Sequence, residues 1–304
     1  MRGSIYYQTS QLVKMIFKDG ASKIDRVNPN SEYYMCIASF NTMNSYRQIW
    51  NNFGIYIKKV YEVKNMEKVT SKYIEDYLNS KLADGISKQY YEKICSALAK
   101  LGLALNRFSI EKSSNCTEYK FFQNKGIAQA KYYIKNGIYE QGRAYREPKI
   151  IIEKLDNNIY KIAASIQYEG GARFKGVRKI TMKQLKRMKI DEITGSNVGI
   201  IETKEKGGRV GDVFVSSNTY EALKKVLIED KKFEINYEKY AKAIRESCQI
   251  NNVECYGSHG FRWCFAKRRL IEYQDANYSY DESLKKVSSE MKHNRKEITE
   301  HYIG

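Results

Sequence analysis

Residues 257-GSHGFRWCFAKRRL-270 and 287-VSSEMKHNRKEITEHYIG-304 decide the reading, because every histidine of the chain falls within them: His259, His293 and His301. His259 and Arg262 are three residues apart behind a glycine break, so they project from one face near the start of a helix. Unpaired N–H groups and the positive end of the helix dipole then lie beside a guanidinium, a placement that favours an anion. Further on, His293 stands nine residues before Tyr302. A rival grouping, Cys248, Cys255, His259 and Cys264, has spacings of seven, four and five residues and lacks the tight ligand pairs of a structural zinc site.

The rest of the chain suits an anionic partner. Its 304 residues carry 53 Lys and Arg against 35 Asp and Glu, a formal charge of +18. The excess is spread over both halves: residues 1–130 hold 19 basic against 11 acidic residues, the remainder 34 against 24. With 26 tyrosines to meet sugar and phosphate, this favours nucleic acid. Mean hydropathy is −0.63, and no apolar run reaches the ~18 residues of a membrane span. The opening segment, Met1 to Ile24, lacks the apolar stretch of a secretory leader, so a cytoplasmic chain with thiol cysteines is expected.

Two prolines punctuate the sequence. Pro29 closes an N-terminal segment, and Pro148 opens an apolar-periodic run after the basic stretch KNGIYEQGRAYRE. Between them Met43, Tyr46, Trp50, Phe53, Ile57 and Val60 step by three and four, predicting a core helix capped by Asn41 or Thr42. Thr70 and Ser87 cap two further helices, with Ile74, Tyr77, Leu78, Tyr91, Ile94, Leu98 and Leu101 inward. After Pro148 the pattern predicts one helix ending at Gly170-Gly171, then strands VGIIETK and VGDVFVS joined by a hairpin at Glu205–Arg209, then helices. The expected division is an N-terminal segment 1–29, a helical domain 30–130, a basic linker 131–147 and a mixed domain 148–304. Leu12, Met15, Ile16 and Phe17 of the first segment are candidate anchors for a subunit contact, with accessory DNA as the alternative.

HGFR followed by a His-x8-Tyr ending resembles the tyrosine recombinase (phage integrase) family, and the ending most resembles its plasmid-borne and conjugative-element branch. Gly170-Gly171-Ala172-Arg173 is similar to the family's first arginine box, and the hairpin lysine to its β-hairpin lysine. The resemblance covers residues 30–304. It implies a multi-domain, mainly α protein: a helical core-binding (SAM-like) domain, and a mixed α+β catalytic domain with a small antiparallel sheet. It further implies that Tyr302 is the nucleophile, that Arg173 and Arg262 grip the scissile phosphate, and that His259 and His293 hydrogen-bond it. Lys206 protonates the departing 5′-oxygen in that scheme, with Lys204 as the competing lysine.

The activity so implied is site-specific cleavage and rejoining of DNA through a 3′-phosphotyrosine link, with no metal, cofactor or ATP. Its partners would be double-stranded DNA bearing recombination sites and three further copies of the chain in a tetrameric synapse, with accessory DNA-bending proteins as additional candidates and no membrane. Integration or excision of a mobile element, or resolution of multimers, would be its role. A type IB topoisomerase-like nicking-closing enzyme and a non-catalytic DNA-binding protein are the alternatives. Three departures from the family pattern stand out. Gly176 occupies the place of an acidic residue that usually supports the first arginine, so Arg173 must be oriented by something else. Trp263 follows Arg262 in place of the more usual histidine, and Met291-Lys292-His293 replaces the common Leu-Gly-His.

Overall fold

The computed structural model describes residues 1–112, 118–121, 142–205 and 208–303. The chain divides into two compact units, Met1–Ile138 and Tyr139–Gly304. The linker segment 131–141 and Lys206 lie outside the described residues.

Helices build the first unit: α1 (Ile5–Lys14), α2 (Lys23–Val27), α3 (Phe40–Tyr61), α4 (Ser71–Ala83) and α5 (Lys88–Lys112). Hydroxyls start them, because a helix leaves its first N–H groups unpaired and a short oxygen-bearing side chain satisfies one. Ser4, Ser22, Ser39 and Thr70 each accept such a bond, and Ser87 accepts one from Tyr90 N–H at 3.3 Å. The cap of α3 is therefore Ser39, ahead of the expected Asn41 or Thr42, since Ser39 Oγ takes Thr42 N–H at 3.2 Å. The apolar stripe of α3 buries Met43, Trp50, Phe53 and Ile57, whereas Val60 near the helix end faces solvent. Leu12 and Ile16 of the N-terminal segment are fully buried within this unit's own core, packed with α3 and α5. Where α1 packs on α3, a Cβ on Gly54 would lie 2.5 Å from Ile5 Cγ2, so glycine makes room for the isoleucine.

In the second unit the run after Pro148 forms two helices, α6 (Pro148–Glu153) and α7 (Asn158–Gly170), where one was expected. The polar Asp156-Asn157 pair divides them: Asn157 Oδ1 accepts Ile159 N–H at 2.8 Å and begins a new helix. Short α8 (Phe174–Val177) leads into β1 (Lys179–Ile180), then β2 (Leu185–Ile190), β3 (Asn197–Lys204) and β4 (Val210–Ser216). Strands β2, β3 and β4 form an antiparallel sheet in that order, and Lys204 pairs with Val210 at the β3–β4 turn. The two expected strands are thus present. The third, β2, carries the sequence LKRMKI, mostly exposed, and so lacked the apolar alternation that announces a strand.

Helix α9 (Ser217–Glu229), β5 (Phe233–Glu234, paired with β1), α10 (Tyr237–Ile250), α11 (Gly257–Asp275), α12 (Tyr280–Glu290) and α13 (Lys296–Ile303) complete the chain. Gly257 and Gly260 do not break α11. Gly257 opens it with φ +61°, and Gly260 is buried within it where Tyr145 leaves no room for a Cβ. Helix α11 is buried along much of its length and packs against α7, which ends at Gly171 in the left-handed conformation (φ +64°). A Cβ there would lie 2.4 Å from the Phe265 ring of α11, so glycine is required for conformation and for space. That crossing carries the residue before the Arg173 segment to the buried face of the helix that bears Arg262.

Candidate active site

Arg262 is fully buried on α11, and its guanidinium is held by carbonyl groups. One Nη donates to Gly171 O at the end of α7; the other donates to Met291 O at 2.5 Å and contacts His293 Nε2 at 2.9 Å. Its Nε has no hydrogen-bond partner among the described residues. Burial first, and Arg173 second, lower its pKa to about 10 against the opposing pull of Glu205, and among the described residues no acid forms an ion pair with it.

Arg173 precedes α8 and keeps 23% of its side chain exposed. Its Nη1 donates to Glu205 Oε2 at 2.5 Å and to Met291 O at 3.4 Å, and its backbone N–H donates to Glu205 Oε1 at 3.1 Å. Met291 O therefore joins the two arginines. Lys292, the next residue, adopts φ +55°, the left-handed region that favours glycine and that a lysine enters only when its surroundings hold it there. Those surroundings are visible: Lys292 Nζ donates to Thr203 Oγ1 at 2.9 Å and lies 3.6 Å from Glu205 Oε1, while its carbonyl accepts from Arg209 Nη1 at 2.5 Å.

Because an arginine can only donate, His293 Nε2 is the acceptor toward Arg262 and the ring proton sits on Nδ1, directed at Thr299 Oγ1 2.7 Å away. Desolvation, then Arg262 and Arg173, depress its pKa to about 3. His259 lies at the exposed rim of the pocket, with Nε2 2.9 Å from Tyr302 Oη. Partial desolvation by the surrounding protein, then the same two arginines, lower its pKa to about 4, so at neutral pH it is an uncharged base against the phenol.

Tyr302 is buried on α13, its ring 5.0 Å from Trp263, 5.3 Å from His259 and 5.3 Å from His293. Trp263 thus serves as the wall against which the tyrosine is seated. Thr299, one turn earlier on the same helix, receives His293, so the hydroxyl-bearing helix is tied to the imidazole that Arg262 fixes. His301 is exposed and rests edge-on against Trp263 at 5.2 Å.

The structure brings Arg173, His259, Arg262, His293 and Tyr302 into one pocket. Lys206 is outside the described residues; Lys204 is exposed at the end of β3. Two members were not anticipated. Glu205 is fully buried, and although burial alone would push its carboxyl up, Lys292, Arg262 and Arg173 together hold it below its ordinary value. Lys292, whose pKa burial lowers, was marked only by standing where the resembled pattern has glycine. The cysteines do not converge on His259: Cys264 Sγ donates to Tyr145 O at 3.4 Å, Cys248 lies against Tyr145 Oη, and among the described residues no group of three or more His, Cys, Asp or Glu could hold a metal ion. Three cations, Arg173, Arg262 and Lys292, face one carboxylate, a surplus that fits a phosphodiester.

No family model matches the sequence, and no curated protein matches it. Solved structures do. The chain is similar to the XerH site-specific recombinase in its post-cleavage complex with palindromic difH substrate, with TM-score 0.66 and 14% identity over 99% of this chain and 91% of that one. It is similar to a lambda integrase dimer bound to a COC′ core site, with TM-score 0.58 and 14% identity over 89% and 73% of the respective chains. It also resembles the Tn1549 transposon integrase in complex with transposon right end DNA, with TM-score 0.57 and 12% identity over 98% and 95%. The chain therefore has the fold of these tyrosine recombinases, mostly helical with a small antiparallel sheet.

Proposed function

We propose that the protein is a site-specific DNA recombinase that cleaves and rejoins strands through a 3′-phosphotyrosine intermediate formed on Tyr302. The observation that carries this reading is the placement of Tyr302 Oη 2.9 Å from an uncharged imidazole, in a pocket with a buried arginine that makes no ion pair among the described residues. A phenol of pKa ~10 is about 0.1% ionised at neutral pH, so attack on phosphorus needs a base at the hydroxyl and positive charge around the phosphate.

His259 Nε2 accepts the phenolic proton as Tyr302 Oη forms its bond to phosphorus. Arg173 and Arg262 supply donors to the non-bridging oxygens, whose charge grows in the transition state; preorganised donors of this kind contribute several kcal/mol each. The bond from phosphorus to the 5′-oxygen breaks, and that oxygen takes a proton from the lysine of the β3–β4 turn, Lys206 or Lys204. The phosphotyrosine bond retains the energy of the phosphodiester it replaces, so rejoining to a new 5′-hydroxyl runs the same steps backward without ATP.

The site specificity, the self-association and the DNA substrates named for the similar structures support this reading. One of those structures is a lambda integrase tetramer bound to a Holliday junction (TM-score 0.53). For this chain the corresponding role is exchange of strands between two sites by four protomers, in movement of a mobile element or resolution of multimers. The test is covalent capture. Incubated with nicked genomic duplex in EDTA and then denatured, the wild-type chain should carry DNA fragments that share one end sequence, and Tyr302→Phe should carry none. Salt-sensitive DNA binding without adducts would refute catalysis, and adducts with random ends would point to a nicking-closing enzyme instead.

A further inference from the structure

Arg173 has no acid one turn along its own segment, because position 176 is glycine. Glu205 meets it from another element. The carboxylate takes the backbone N–H of Arg173 on one oxygen and its guanidinium on the other, at 3.1 and 2.5 Å, so a single side chain fixes both ends of Arg173. The space over Gly176 is the space Glu205 fills: a Cβ at 176 would lie 3.1 Å from Glu205 Cγ and 3.2 Å from Thr203 Cβ. A side chain at 176 would crowd Glu205, and glycine leaves that space to the acid of the hairpin.

Glu205 is in turn set by the turn that follows β3. Its N–H donates to Arg209 O at 2.8 Å, and its carbonyl accepts from Gly208 N–H at 3.1 Å. Lys292 clasps the same strand end from the His293 side, through Thr203 Oγ1 at 2.9 Å and Glu205 at 3.6 Å. We propose that Glu205, the acid that follows β3, is the positioning residue for Arg173. The inference rests on the recombinase reading above.

The experiment uses the full chain and the nicked duplex recovered by capture with wild-type protein, and measures single-turnover adduct formation. Glu205→Gln should slow cleavage at least about 30-fold with DNA affinity unchanged within about threefold, whereas in an Arg173→Lys background it should cost less than about threefold, the non-additivity of residues that act as a unit. Equal losses in both backgrounds would overturn the proposal. Since Glu205→Gln leaves Lys292 buried beside uncompensated charge, the pair Glu205→Gln with Lys292→Met guards against misfolding. It should cleave as slowly as Glu205→Gln alone, and a return to wild-type rate would show that the acid only neutralises Lys292. A substrate with sulfur at the 5′-bridging position needs no proton on its leaving group. On it the Glu205→Gln defect should persist, and full rescue would assign Glu205 to the lysine instead of the arginine. Absence of adducts from the wild-type chain is a separate result, which would remove the recombinase reading itself.

Discussion

Arg262 and Arg269 stand two turns apart on helix α11, both buried, and their surroundings are opposite. Arg269 is saturated by acids: Asp191 at 2.7 Å, Glu290 at 2.8 Å and Glu272 at 3.0 Å, with Tyr273 Oη on the same Glu290 carboxylate. Burial would depress its pKa, but those carboxylates raise it far above the ordinary arginine value. Arg262 has two carbonyls, one neutral imidazole and an Nε without a partner among the described residues, beside another arginine, and the one carboxylate acting on it, Glu205, is bonded to Arg173 instead. A charge fully compensated inside the fold is structural, whereas a charge kept among neutral acceptors and like charges remains available to an outside anion.

The two surroundings are separated most severely by exchanging each arginine for the unbranched apolar residue methionine. Arg262→Met should reduce adduct formation about 10³-fold or more, the scale expected for removing a transition-state donor, while leaving the folded chain intact by circular dichroism. Arg269→Met should do the reverse to stability, costing about 2–4 kcal/mol in urea unfolding, because the half-buried Asp191 and Glu290 lose their cation while Glu272 keeps only Arg268. If Arg262→Met proved the more destabilising of the two, the contrast would collapse.

A smaller effect sharpens the same point. Inorganic phosphate at saturating concentration should raise the melting temperature of the wild-type chain by about 2–4 °C, the shift produced by roughly 1 kcal/mol of binding to the folded state. Arg262→Met should lose that shift, and Glu290→Gln, which loosens only the Arg269 network, should keep it.

The smallest expected effect concerns protons. His293 is half-buried, and its pKa of about 3 lies below the ~6.5 of an unfolded imidazole. Between those values the unfolded chain binds the proton and the folded chain does not, so stability falls as pH drops from ~6.5 and levels off below about 3. His259 adds to the trend in the same direction, weakened by its exposure to water. In urea unfolding from pH 7 to 5, above the range where carboxylates titrate, His293→Gln should therefore flatten the slope. An unchanged slope would mean that the imidazole is not held neutral by Arg262.

The two units differ also in how far their sequences foretold them. In Met1–Ile138 the buried side chains are almost all apolar, so three-and-four spacing and hydroxyl caps located α3, α4 and α5 directly. Its errors were local: the cap at Ser39, and Val60 turned outward at a helix end. In the second unit the buried polar set includes Arg262, Glu205 and Arg269, and the partners lie far apart along the chain. His259 and Arg262 were legible because one helix turn places them together. Tyr302 was legible through the family resemblance, since its hydroxyl meets a residue 43 positions away. Glu205 reaches Arg173 across 32 positions, and nothing in local periodicity could pair them. What the sequence did hold was the gap that Glu205 fills, the glycine at 176. Likewise a lysine at the left-handed position 292 was a visible anomaly, whose cause, a bond to Thr203 89 positions away, required the fold.

The central claim is that Tyr302 is the residue on which an anion-seeking pocket acts, and the most direct measurement is the identity of the amino acid joined to DNA. Adducts trapped on nicked duplex, trimmed with nuclease and digested with trypsin can be weighed by mass spectrometry. Nucleotide is expected on the peptide that follows Lys296, in which Tyr302 is the only tyrosine. Nucleotide on any other peptide, or adducts of undiminished yield from Tyr302→Phe, would contradict it.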